Sequence, residues 1–159
     1  MLVHYAYSLG KGLMQMYYWN RKPLALIPGR INTYDYTDIY GPRTVQRVYY
    51  SIYCVIRNLT KSCGFSAAQL RRGDARKKMQ SLFLSDDCVL VPLKMQTGQF
   101  ACGYLNAYEF RRLEINDERC FAVLRSGLRI PVLWSMMRTA AHLKDCDAIK
   151  RVDITINKK

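Results

Sequence analysis

The chain has 159 residues, half of them hydrophobic, with 25 lysines and arginines against 12 acidic residues, a formal net charge of +13. This length suits one domain with a buried core, and the hydrophobic content excludes a disordered polycationic tail. No apolar run reaches the roughly 18 residues of a membrane span, and the N-terminus lacks a signal-peptide pattern, so we expect a cytoplasmic protein without a membrane partner.

Residues 1–23 are interpreted as an appended segment rich in tyrosine, methionine and glycine, with a helix predicted over Leu13–Trp19. Ten of the twelve tyrosines precede Cys54. Tyrosine can stack on unpaired bases, but it more often fills half-buried strands, which is the interpretation we favour.

After Pro23 the pattern favours strands, because short β-branched and aromatic runs are separated by proline and glycine. The predicted strands are Leu24–Ile27, stopped by Pro28-Gly29; Val48–Ile56, the strongest; Cys88–Pro92; and Phe100–Leu105. The expected fold class is α+β, predominantly β, with short strands and hairpins, a C-terminal helix and a small basic loop or helix segment.

The clearest local signal is a hairpin. Two β-runs, 120–124 and 128–132, flank the two-residue turn Ser126-Gly127. Pro131 cannot donate a ladder hydrogen bond, so the second strand either lies at an edge or ends there. Ser135 is then a predicted N-cap of a helix, and the chain from Asp145 onward is expected to be loosely held.

The six cysteines contain no Cys-x-x-Cys pair, and only two histidines could join them. Metal-ligand spacing is therefore missing, and neither a metal nor a cofactor is expected. In a reducing cytosol we expect free, mostly buried thiols. The cysteines are Cys54, Cys63, Cys88, Cys102, Cys120 and Cys146.

The densest charge lies between Arg57 and Met79, where seven basic residues and many small ones accompany a single acid, Asp74. Small residues let the backbone approach a ligand closely, and cations suit phosphate oxygens, so double-stranded DNA is the expected partner. The predicted phosphate or minor-groove contacts are Arg71, Arg72, Arg76, Lys77 and Lys78, with Gln69 as a base-edge contact. Arg111 and Arg112 are either a second DNA-binding pair or an exposed strand face.

Five short motifs follow one another between Leu24 and Leu143. They are Leu24–Pro28 (LALIP), Ser62-Cys63 before Phe65 and the basic cluster, Cys88–Pro92 (CVLVP), Cys102–Asn106 (CGYLN) and the strand–glycine–strand pattern of Leu124–Val132. In this order they resemble the ComK family of competence transcription factors. The resemblance implies a sequence-specific transcriptional activator that reads A/T-rich minor grooves and forms dimers or larger assemblies on DNA.

The C-terminal part, Gly103–Leu143, is also similar to LytTR-type DNA-binding domains. The matching features are Tyr104-Leu105-Asn106, the hairpin from Leu124 to Val132 and the helix after Ser135. This second resemblance implies loops in the major groove rather than minor-groove contacts.

Other function classes fit less well. No phosphate-binding loop, nucleophile elbow or grouped catalytic residues are present, so we do not expect an enzyme. An RNA-binding or ribosome-associated protein is the remaining alternative, because basic charge accompanies many tyrosines. The predicted domains are the appended segment 1–23, the DNA-binding domain 24–145 and a short basic tail 146–159.

Self-association is expected because one small module contacts few base pairs. Two surfaces are candidates: the hairpin edge at Leu128–Val132 and the aromatic segment Leu13–Trp19. Pro131 argues against strand pairing at the hairpin edge, so we favour the N-terminal segment. The sequence identifies no regulatory protein partner.

Overall fold

The computed structural model describes residues 2–6, 22–62, 80–95 and 102–157. Within these residues, eleven strands form two sheets, which confirms the predominantly β, α+β fold class. The seven-stranded sheet has the order β1-β4-β3-β2-β7-β6-β5, and the four-stranded sheet has the order β10-β9-β8-β11. All neighbouring strands are antiparallel except β1 with β4 and β8 with β11, which are parallel.

The strands of the seven-stranded sheet are β1 (Leu2–Ala6), β2 (Ala25–Ile31), β3 (Tyr34–Tyr40), β4 (Thr44–Val48), β5 (Leu82–Ser85), β6 (Cys88–Lys94) and β7 (Cys102–Asn106). Those of the four-stranded sheet are β8 (Phe110–Asn116), β9 (Arg119–Leu124), β10 (Arg129–Val132) and β11 (Asp153–Asn157). Helix α1 spans Ile52–Ser62, helix α2 spans Met136–Lys144, and a 3₁₀ turn spans Ala107–Glu109.

Both faces of the seven-stranded sheet are covered where β6 lies, so this strand is apolar on both sides. Val89, Val91 and Leu93 point into a core shared with the four-stranded sheet and α2. Cys88 and Leu90 point into a second core beneath α1. The order of layers is therefore α1, the seven-stranded sheet, and then the four-stranded sheet with α2.

The predicted strand Val48–Ile56 is wrong, because β4 ends at Val48 and α1 begins at Ile52. The β-branched and aromatic residues of this segment favour a strand, but the residues that pack on the sheet recur every three to four positions, as on one side of a helix. The burial of that side outweighs the strand propensity. The Ser51 hydroxyl accepts a hydrogen bond from the Cys54 N–H (3.3 Å), as an N-cap does. The buried residues of this pattern are Ile52, Val55, Ile56 and Leu59.

Two strands continue past the prolines that were expected to end them. β2 runs through Pro28 to Ile31, and β6 runs through Pro92 to Lys94. Each proline lies beyond the last residue that pairs with one of its neighbouring strands: β2 pairs with β7 only up to Leu26, and β6 pairs with β5 only up to Leu90. A proline has no N–H to donate, and this is tolerated where one side of the strand has no pairing partner.

The β9–β10 hairpin is confirmed, but its loop has three residues, Arg125–Gly127, rather than two. The Gly127 N–H donates to the Leu124 carbonyl, and the Leu124 N–H donates to the Leu128 carbonyl, both at 2.9 Å. Gly127 has φ 91°, the left-handed conformation of a glycine bulge that follows a type I turn.

The N-cap at Ser135 is confirmed, since its hydroxyl accepts from the Arg138 N–H (3.3 Å). The expectation of a loosely held chain after Asp145 is wrong for the described part. Cys146 and Ile149 are buried in the core beside α2, and β11 pairs with β8 through all five of its residues. The predicted helix over Leu13–Trp19 lies outside the described residues.

Candidate nucleic-acid interface

The structure describes only part of the predicted DNA-binding set. Gln69, Arg71, Arg72, Arg76, Lys77 and Lys78 all lie outside the described residues. Arg57 and Lys61, the first two cations of the basic run, belong to α1, whereas Arg111 and Arg112 belong to β8.

Helix α1 presents an aromatic and basic stripe to solvent. Tyr53, Arg57 and Lys61 follow one another at four-residue spacing and are exposed; we call them the α1 stripe. They are exposed because the opposite side of the helix packs on the seven-stranded sheet. Among the described residues, neither Arg57 nor Lys61 forms a salt bridge. Within the part of the chain that the structure describes, no carboxylate competes with an anion for these two charges.

The four-stranded sheet carries a second basic surface. Its exposed or half-exposed cations lie on β8, on β9, on β10 and at the hairpin loop, and we call them the arginine face. They are Arg111, Arg112, Arg119, Arg125 and Arg129.

Arg111 lies at a β-bulge. Phe110 pairs with Leu124, but Arg112 pairs with the adjacent Val123, so Arg111 is the extra residue in β8. A bulge redirects side chains and increases local twist. Arg111 is consequently exposed, while Arg112 lies over the sheet.

Arg112 and Arg129 converge on one carboxylate. The Arg112 Nε lies 3.1 Å from Glu114 Oε1, and the Arg129 Nε lies 2.9 Å from Glu114 Oε2. The Arg129 guanidinium also stacks on Phe121, 4.5 Å from its ring centre. Arg129 thus reaches from β10 across β9 to β8 and joins three strands.

The carboxylate at the centre of this cluster is nearly enclosed, with only 9% of the Glu114 side chain exposed. The hydrogen bond from Arg112 is the main cause that lowers the pKa of Glu114; both guanidiniums add to it, and burial opposes it. Glu114 is therefore ionised at neutral pH, and part of the arginine charge is neutralised within the sheet.

The two basic surfaces do not form one continuous face. α1 packs on one side of the seven-stranded sheet, and the four-stranded sheet packs on the other. The predicted pair Arg111 and Arg112 is therefore separated from Arg57 and Lys61 by both sheets.

Sequence reasoning missed several residues of the two surfaces that the fold exposes. Arg129 alternates with the buried Ile130 and Val132, a period of two that could have placed it outward. Arg119 had no signal of its own. Tyr53 was hidden because its segment was interpreted as a strand.

Three cysteines are buried, Cys88, Cys120 and Cys146, whereas Cys102 is half-buried and Cys54 is exposed. Among the described residues, none of these five cysteines forms a disulfide; Cys63 lies outside the described residues. Burial raises the pKa of both Cys102 and Cys120. In the part of the chain that the structure describes, no three potential metal ligands are grouped.

No family model matches the chain, and no curated protein or solved structure matches it. Across the ranges described, no helix has the length and apolar character needed to cross a bilayer.

Proposed function

We propose that the protein is a sequence-specific double-stranded DNA-binding transcriptional regulator. It acts in the cytoplasm as an activator of the competence type, and it has neither enzymatic activity nor a cofactor. The observation that carries the proposal is the α1 stripe: Arg57 and Lys61 are exposed, lack salt-bridge partners among the described residues, and begin the most basic run of the chain.

The chemistry follows from these charges. Lysine and arginine beside phosphates release condensed counterions, which supplies affinity without reading sequence. Arginine inserted into a narrow A/T-rich minor groove adds preference for that shape. We assign the phosphate contacts to Arg57, Lys61 and the basic residues between Arg71 and Lys78, with Gln69 touching a base edge.

Selection of bound duplexes from a random pool tests the proposal. We expect enrichment of A/T-rich sites arranged as repeats, because two copies bind together. A selected pool that is indistinguishable from the starting pool would contradict sequence-specific binding.

The groove is tested by base substitution in the selected site. Inosine–cytosine pairs keep the minor-groove pattern of A·T pairs but change the major groove. A minor-groove reader binds the substituted site with nearly unchanged affinity. The alternative of LytTR-like major-groove reading draws support from the exposed Arg125 at the hairpin loop and predicts a large loss.

RNA binding is the second candidate function. It draws support from exposed tyrosines, since Tyr34 is 71% exposed and Tyr53 is 53% exposed, and aromatic side chains stack on unpaired bases. Competition between the selected duplex and single-stranded RNA of equal length separates the two. Displacement by RNA at equal or lower concentration would favour the RNA reader.

A further inference from the structure

The four-stranded sheet has two different edges. At one edge, β10 carries Pro131 and Arg129, residues of the kind that block strand pairing. At the other edge, β11 pairs with β8 on one side, and no described strand lies on its second side. β11 contains neither proline nor a basic residue, and all five of its residues are exposed. Within the two edge strands themselves, only β10 carries residues of this kind.

β11 also extends the apolar side of the sheet without cover. Ile154 pairs with Leu113 and Ile156 pairs with Ile115, so both isoleucines lie on the face that elsewhere forms the core. Leu113 is fully buried, yet Ile154 is 40% exposed and Ile156 is 59% exposed. The core-facing side of the sheet continues to an edge that presents two β-branched side chains to solvent.

We propose that β11 pairs antiparallel with β11 of a second copy of this chain, about a two-fold axis at Thr155. In this register Ile154 lies opposite Ile156 of the second copy, and Asp153 lies opposite Asn157. The two isoleucine pairs cover each other on one face, and the unpaired backbone groups of both edges are satisfied.

The strand is complementary to itself only near this register. Centring the pair on Thr155 overlaps all five residues, and each Asp153 carboxylate faces an Asn157 amide that can donate to it. Centring it on Asp153 would place the two carboxylates opposite each other, which is destabilising.

The pairing has a consequence for DNA that rests on the proposed function. A two-fold axis between antiparallel strands of one sheet is perpendicular to that sheet. The α1 stripes of both copies therefore face the same side of the dimer, as required for two half-sites on one duplex. The pairing itself is tested without DNA.

Charge substitution at the two isoleucines tests the interface and its register. Light scattering and sedimentation should show a dimer of the wild-type chain at about 100 μM. Ile154→Glu/Ile156→Glu sets like charges opposite each other and should weaken association about tenfold or more, whereas Ile154→Glu/Ile156→Lys sets opposite charges together and should restore it. Met137→Lys, at an exposed position of α2, is the control and should leave the dimer intact.

Cysteine cross-linking tests the two-fold axis independently. In a Cys54→Ser background, Thr155→Cys places two thiols on strands whose Cα atoms lie about 4.5–5.5 Å apart, a distance that a disulfide spans. Asp153→Cys, its matched control, faces Asn157 and should not cross-link. Mild oxidation should therefore give a covalent dimer of the first variant only.

Three results would overturn the proposal. They are a monomeric wild-type chain at this concentration, equal association of the two double variants, and equal cross-linking of the two cysteine variants. Far-ultraviolet circular dichroism confirms in each case that the variant is folded. Because no assay contains DNA, failure here leaves the proposed function to its own experiments.

Discussion

The α1 stripe and the arginine face are both basic, but they hold their charges differently. On α1, Arg57 and Lys61 extend from a helix whose other side is buried, and neither forms a salt bridge among the described residues. On the four-stranded sheet, Arg112 and Arg129 share the Glu114 carboxylate. A guanidinium held by a carboxylate must lose that partner before it can bind a phosphate fully. Net charge in the sequence therefore overstates the charge available on the sheet.

The largest expected effect is the dependence of DNA affinity on salt. If about five of the seven assigned cations meet phosphates at the same time, the slope of log K against log salt should be about −4 to −5, at roughly −0.9 per contact. Raising salt fourfold should then weaken binding about 250- to 1,000-fold. Titration of a labelled duplex at several salt concentrations measures the slope. A slope near zero would mean that neither basic surface touches phosphates.

The second prediction concerns the arginine face and protein stability. Glu114→Gln should lower the free energy of unfolding by about 2 kcal/mol, because two partly buried guanidiniums lose their anion. Urea denaturation measures the loss. Glu118→Gln, at an exposed turn, is the control and should change stability little. An equal stability of the two variants would show that Arg112 and Arg129 are not held by Glu114.

The same carboxylate predicts a pH dependence. The pKa of Glu114 is lowered in the folded state, so its contribution is fully present above the unfolded value of about 4.3. It is lost as the pH falls from that value through the folded pKa, because over this range the unfolded state binds more protons than the folded state. The stability difference between wild type and Glu114→Gln should shrink over that acidic range and stay constant near neutrality.

Much of the fold could be predicted from the sequence in segments where the hydrophobic residues follow a single period, either that of a strand or that of a helix. The hairpin from Cys120 to Val132 has alternation, a glycine turn and an edge proline that all agree, and the structure differs only in loop length. Val48–Ile56 failed because β-branched and aromatic residues occupy both sides of a helical pattern, so propensity and burial conflict. Which side of α1 is buried depends on strands that are distant along the chain and lie beneath the helix. The local sequence does not specify that contact.

The candidate site was less predictable than the fold. Basic residues are recognisable in any sequence, but their partners come from other strands. Glu114 neutralises Arg129 across fifteen residues of chain because β9 lies between β8 and β10. Arg112 was therefore grouped with Arg111, although the bulge at Arg111 gives the two side chains different surroundings.

The fourth prediction concerns the centre of the basic run, which is removed by substitution. Arg76→Ala, Lys77→Ala and Lys78→Ala together should weaken duplex binding at least about tenfold, or roughly 1.4 kcal/mol. The melting temperature should hardly change, because solvated charges contribute little to folding. Fluorescence anisotropy and thermal denaturation measure the two effects. Lost stability with unchanged affinity would assign these residues a structural role.

The smallest predicted effect compares the two surfaces directly. Arg57→Ala/Lys61→Ala and Arg111→Ala/Arg119→Ala each remove two exposed cations, so long-range electrostatic attraction falls equally. Only the variant whose substituted residues touch the DNA also loses direct contacts with phosphates. We expect the α1 pair to weaken binding about threefold to tenfold and to reduce the salt slope by about 1.8, from roughly 0.9 per contact. The β8–β9 pair should leave the slope unchanged. The reverse pattern would move the DNA interface to the arginine face, where Arg111, Arg119 and Arg125 are the cations not held by Glu114.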